Sequence, residues 1–136
     1  MLALDVGDRR IGVAMSDPSG IVAQPLTVIT RRGIAADVDA VRALVTEHTV
    51  ETIVVGLPLT LRGGRGPQAQ KVVAWVERLR QRTTVPVHLL DERLTTVQGE
   101  RSLRETGTSA RKRKHVIDQV AAQLILQQFL EIHRHA

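Results

Sequence analysis

Apolar and polar positions change period along this chain, and the changes mark out its elements. Residues 2–6 are apolar except for Asp5, as in a strand buried on both faces. Gly7-Asp8-Arg9-Arg10 has the composition of a turn, and residues 11–16 return as a second strand. Pro18-Ser19-Gly20 makes another turn before a third apolar run over residues 21–29. Pro25 interrupts that run, which predicts a sheet edge or a bulge, because proline cannot donate to a ladder. The period then lengthens: Ile34, Val38, Val41 and Val45 recur at helical spacing. Residues 52–55 form a short β-branched strand ending at Gly56, and Gly66-Pro67 opens a helix striped with Val72, Val73, Val76 and Leu79.

Residues 85–90 read as another strand. Thr95 with Gln98 resembles a capping box for a helix reaching about Glu105 and closed by Gly107. Residues 108–115 read as a basic loop. Asp118 then opens a last helix with Ile117, Val120, Ala121, Leu124, Ile125 and Phe129 on one face. The predicted order is βββαβαβαα. Three antiparallel strands followed by alternating strands and helices predict an α/β fold, a mixed sheet with helices on both faces.

Length and composition narrow the class. At 136 residues the chain is expected to be a single domain, residues 1–136, with one core. No apolar stretch approaches a membrane span and no export leader opens the chain, so a cytoplasmic protein is expected. Cysteine is absent, which excludes disulfides and thiolate chemistry. A net charge of +5 points to an anionic partner such as nucleic acid. Trp75 and Phe129 are the only aromatic residues apart from histidines, so contact is expected with backbone phosphate rather than by base stacking.

Three acids stand out against this background. Asp5 interrupts a buried strand, Glu92 follows another, and Asp118 comes just after Arg111-Lys112-Arg113-Lys114-His115. Two carboxylates about 4 Å apart repel by roughly 4 kcal/mol at an effective dielectric of 20, so a fold that gathers three compensates with cations. Each acid has a plainer reading: Asp5 as a partner of the following turn, Asp91-Glu92-Arg93 as a solvated loop, Asp118 as a first-turn acid complementing the helix dipole. Their joint placement favours a divalent-ion centre. The Gly-rich loop over residues 56–66 lacks the Lys-Ser/Thr ending of a Walker loop, but could present Arg62 or Arg65 to a phosphate at a helix start. The histidines show no zinc spacing.

Four ordered motifs carry a resemblance over nearly the whole chain. They are Leu4-Asp5-Val6-Gly7 with Arg10-Ile11-Gly12-Val13-Ala14 and Ser16-Asp17, Val55-Gly56-Leu57-Pro58-Leu59, Asp91-Glu92-Arg93-Leu94-Thr95-Thr96, and Ile117-Asp118-Gln119-Val120-Ala121-Ala122. In these the chain resembles the YqgF/RuvX family, named both Holliday junction resolvases and pre-16S rRNA nucleases, within the ribonuclease H-like superfamily. The resemblance implies a five-stranded sheet of order 3-2-1-4-5. It also implies a nuclease centre at Asp5, Glu92 and Asp118 holding Mg²⁺ or Mn²⁺, two ions, with Asp91 in reserve for Glu92. Arg9, Arg10, Arg62, Arg65, Arg93, Arg111, Lys112, Arg113 and Lys114 would neutralise the nucleic-acid backbone. One departure is Arg62, which stands where relatives often carry a loop acid. The Asp-x-Gly hairpin also occurs in actin-like ATPases, but those need two such domains.

The function expected is hydrolysis of phosphodiesters, in maturation of the 5′ end of pre-16S rRNA. Two alternatives are a resolvase of branched DNA, which would work as a homodimer rather than a monomer, and a non-catalytic module binding RNA or ribosomal particles.

Overall fold

The computed structural model describes residues 1–59, 63–91 and 110–134, and in the last helix it describes side chains from Val120 to Ile132. The strands are β1 (Leu2–Val6), β2 (Arg10–Ser16), β3 (Ala23–Thr30), β4 (Ile53–Leu57) and β5 (Val87–Asp91). The helices are α1 (Ile34–Glu47), α2 (Pro67–Arg80) and α3 (Ala110–Arg134). The strands form one sheet in the order β3-β2-β1-β4-β5. β1 pairs antiparallel with β2, and β2 antiparallel with β3, whereas β1–β4 and β4–β5 are parallel. The mixed sheet expected from the strand and helix periods is therefore present. The helix expected between Thr95 and Glu105 lies outside the described residues.

Pro25 acts as the sequence suggests. β3 is an edge strand, and its register against β2 shifts between Val13 and Ala14, so that Pro25 stands opposite Ala14. Just before β3, the Asp17 carboxylate accepts hydrogen bonds from the Ser19 hydroxyl and from the backbone N–H groups of Ile21 and Val22. These donors, the Ser19 hydroxyl first, hold the Asp17 carboxyl below its ordinary range.

The two faces of the sheet are packed with residues of different size. On one, Leu2, Leu4, Val6, Ile11, Val13, Ile53, Val55 and Leu57 meet Val38 and Val41 of α1 and Val72, Trp75, Val76 and Leu79 of α2. On the other, Ala3, Ala14, Ala23 and Val54 meet Ala122, Ile125, Leu126, Phe129 and Leu130 of α3. Small side chains on the second face let α3 lie close to the strands. Gln123 and Gln127 tie it to the edge, Nε2 of Gln123 donating to the carbonyl of Ala23 and the Ala23 N–H to Oε1 of Gln127. The Phe129 ring meets His88 of β5 at a centroid distance of 5.5 Å.

The last helix corrects two expectations. It begins at Ala110, so residues 110–115 are helical rather than part of a basic loop, and Asp118 is not in the first turn. No glycine or proline occurs between Ala110 and Arg134, and Arg and Lys are good helix formers, so nothing local stops the helix running back through the basic run. The dipole reading of Asp118 falls with the early start. Among the described residues no helix is long and apolar enough to cross a membrane.

Candidate active site

Asp5 sits on the central strand, and alternation decides its face. Leu4 and Val6 point into the α1/α2 core and Ala3 into the α3 core, so Asp5 shares the α3 side with Ala3. Its side chain is half-buried. Gly12 of β2 is its cross-strand partner, and Gly56 of β4 follows Val55, which pairs with Leu4. The glycines on both neighbouring strands add no side chain beside that carboxylate. Its hard oxygen donors suit a hard divalent cation.

The other acids divide. Asp91 stands opposite Leu57 at the end of β5, on the side of the sheet that Leu57 and Val87 bury under α1 and α2. By strand alternation it belongs to the side of the sheet away from Asp5. Glu92 lies outside the described residues. Position 118 lies in α3, one turn before Ala122 and two before Ile125, both buried against the sheet. Its side chain lies outside those described. Among the described residues no three His, Cys, Asp or Glu side chains form a metal-binding group.

Of the basic residues, Arg9 is exposed in the β1–β2 turn and Arg10 is half-buried at the start of β2. Arg65 is exposed ahead of α2, while Arg62 and Arg93 lie outside the described residues. Arg111, Lys112, Arg113 and Lys114 fall in the first turns of α3. Cations at a helix N-terminus oppose its dipole and add to its positive potential, an arrangement that favours a bound polyanion.

One constellation at the end of β1 escaped the sequence reading. Asp37 is the one charged residue fully buried among those described, 1% exposed, in the first turn of α1. Its Oδ2 accepts a 2.9 Å hydrogen bond from Arg31 Nε, and its Oδ1 accepts one from the Arg32 N–H. Arg31 Nη1 in turn donates to the carbonyl of Gly7, two residues past Asp5. The signal was there: Asp37 falls on the apolar stripe of Ile34, Val38 and Val41, where a charge demands a partner.

Comparison with known proteins agrees with this architecture. A family model described as RuvX, Holliday junction resolvase, matches residues 1–132. A Moorella thermoacetica protein named "Putative pre-16S rRNA nuclease" is 51% identical over 131 residues, covering 96% of this chain and 94% of the relative. A Caldanaerobacter subterraneus protein of the same name is 47% identical, covering 100% of this chain and 99% of its own. Among solved structures, T. thermophilus RuvC in complex with a Holliday junction substrate superposes with a TM-score of 0.58 at 15% identity, covering 98% of this chain and 96% of that one. Fowlpox virus resolvase with Holliday junction DNA also gives a TM-score of 0.58, at 8% identity, covering 98% and 99%. At such identities the structures establish the fold, which is ribonuclease H-like.

Proposed function

Because this chain belongs to the RuvX family, we propose that it is a single-domain, divalent-ion-dependent endonuclease that trims the 5′ end of pre-16S rRNA in the cytoplasm. The observation that carries the reading is Asp5: a half-buried carboxylate on the central strand, between glycines, on the face that α3 covers. The names of the relatives support RNA as the substrate.

Asp5, Glu92 and Asp118 would hold Mg²⁺ or Mn²⁺. Asp91 belongs to the opposite face, so Glu92 is the acid of that pair that suits the site. Divalent ions bound there supply Lewis-acid stabilisation of phosphate charge and lower the pKa of water. Asp5 contributes a fixed negative charge on a rigid strand, oriented before substrate arrives. Arg9, Arg10, Arg65 and the basic first turns of α3 bind the phosphates flanking the cut, with Arg62 and Arg93 as further contacts.

The test offers the purified chain a pre-rRNA fragment and a four-way DNA junction in parallel, with and without Mn²⁺. Ion-dependent cutting of the RNA is expected, and Asp5→Asn should lower it by at least about 100-fold with the fold intact. Full activity in Asp5→Asn would remove Asp5 from the site. Cutting of the junction alone would replace the substrate, and chelator-insensitive binding without cleavage under any divalent ion would make the protein a binding module.

A further inference from the structure

We infer that Arg31 and Asp37 are positioning residues for the active strand: their ion pair latches the β1–β2 turn and so fixes where the Asp5 carboxylate and Arg9 stand. The inference rests on the nuclease reading. Asp37 is anchored first. Its own N–H donates to the Gly33 carbonyl at the start of α1, and its two carboxylate oxygens accept separately from Arg31 Nε and the Arg32 N–H, at 2.9 and 3.0 Å. Burial of the carboxylate to 1% exposure, with the Arg31 side chain at 22%, reduces the screening of that pair by salt.

With Nε held, the planar guanidinium has one orientation left, and Nη1 meets the Gly7 carbonyl at 2.9 Å. The Arg31 N–H donates to the Arg9 carbonyl and the Gly7 N–H to the Arg10 carbonyl, each at 2.9 Å. The turn that ends β1 is thus held at two carbonyls by one residue of the β3–α1 connection. Asp5 is two residues from the nearer of them, and the farther is the carbonyl of Arg9 itself. α1 packs on the side of the sheet away from Asp5, so the pair carries the placement of one layer around the strand end to the other.

Arg31→Lys tests this, because an ammonium keeps the charge but cannot hold Asp37 and Gly7 in one plane. Asp37→Asn is the companion, keeping an acceptor for the Arg32 N–H and losing the charge. Three readouts are taken on the full chain: Trp75 emission on thermal unfolding, hydrogen exchange at the Gly7 amide, and the Mn²⁺ concentration for half-maximal cleavage. Both variants should fold, exchange Gly7 at least about 10-fold faster and need about 10-fold more Mn²⁺, with cleavage recovering at high Mn²⁺. Unchanged Gly7 exchange would overturn the latch. Faster exchange with an unchanged Mn²⁺ requirement would overturn the positioning role and leave a structural tie. A wild-type chain that cuts nothing would defeat the nuclease reading separately, and Gly7 exchange would still decide the latch.

Discussion

Gly7 shows how little space the end of β1 leaves. A Cβ placed on it would meet the backbone carbonyl oxygen of Arg10 at 2.9 Å, and a backbone oxygen cannot swing aside as a side chain can. The same residue accepts Arg31 and closes the turn on Arg10, so three constraints meet at one position. Gly7→Ala is therefore expected to destabilise the chain by roughly 1–3 kcal/mol, as overpacking does. It should reduce cleavage beyond what the loss of folded protein explains. Thermal unfolding and cleavage per folded molecule, measured together, check both. Asp37 teaches the complementary lesson: removing one partner of a buried pair strands the other charge, which costs more than the pair contributes.

The helices differ in how their ends are managed. α1 closes through a Schellman arrangement, the Val50 N–H donating to the Val45 carbonyl and the Thr49 N–H to that of Thr46. The left-handed position this requires is filled by Thr49, at φ 52, where a β-branched side chain crowds its own backbone. Thr49→Gly should relieve that strain and stabilise the chain by roughly 0.5–1 kcal/mol, after allowing for glycine's greater freedom when unfolded. Urea unfolding followed by Trp75, which is 1% exposed, would register the gain as a higher midpoint at unchanged slope. α3 is built on the opposite logic. Its basic first turns oppose the dipole, and the buried stripe from Ala121 to Leu130 offsets that penalty by tertiary packing.

For the molecule as a whole, an excess of five positive charges sets the expected mode of contact with nucleic acid. Affinity should fall linearly with the logarithm of salt concentration, with a slope of about 0.7–0.9 per phosphate contact. Replacing Arg111, Lys112, Arg113 and Lys114 by glutamine keeps helix propensity and removes four cations. The slope should then shrink by up to about 3, across RNA and DNA alike. A filter-binding titration at several salt concentrations would show it, and an unchanged slope would place the bound phosphates elsewhere.

Across these scales, hydrophobic period alone determined most elements and the burial of β1, because which way a side chain faces is a local property of the strand or helix. The edge position of Pro25 followed likewise from a missing donor. Strand order came through the motif resemblance, since no local pattern records which strands lie side by side. Tertiary structure alone decided that Asp91 faces the α1/α2 core, that α3 starts at Ala110, and that Asp37 meets an arginine whose fork holds Gly7, 24 residues upstream. The apolar stripe tells that Asp37 needs a partner, but not that the arginine answering it also reaches a carbonyl of the β1–β2 turn, because that pairing depends on layers meeting in space.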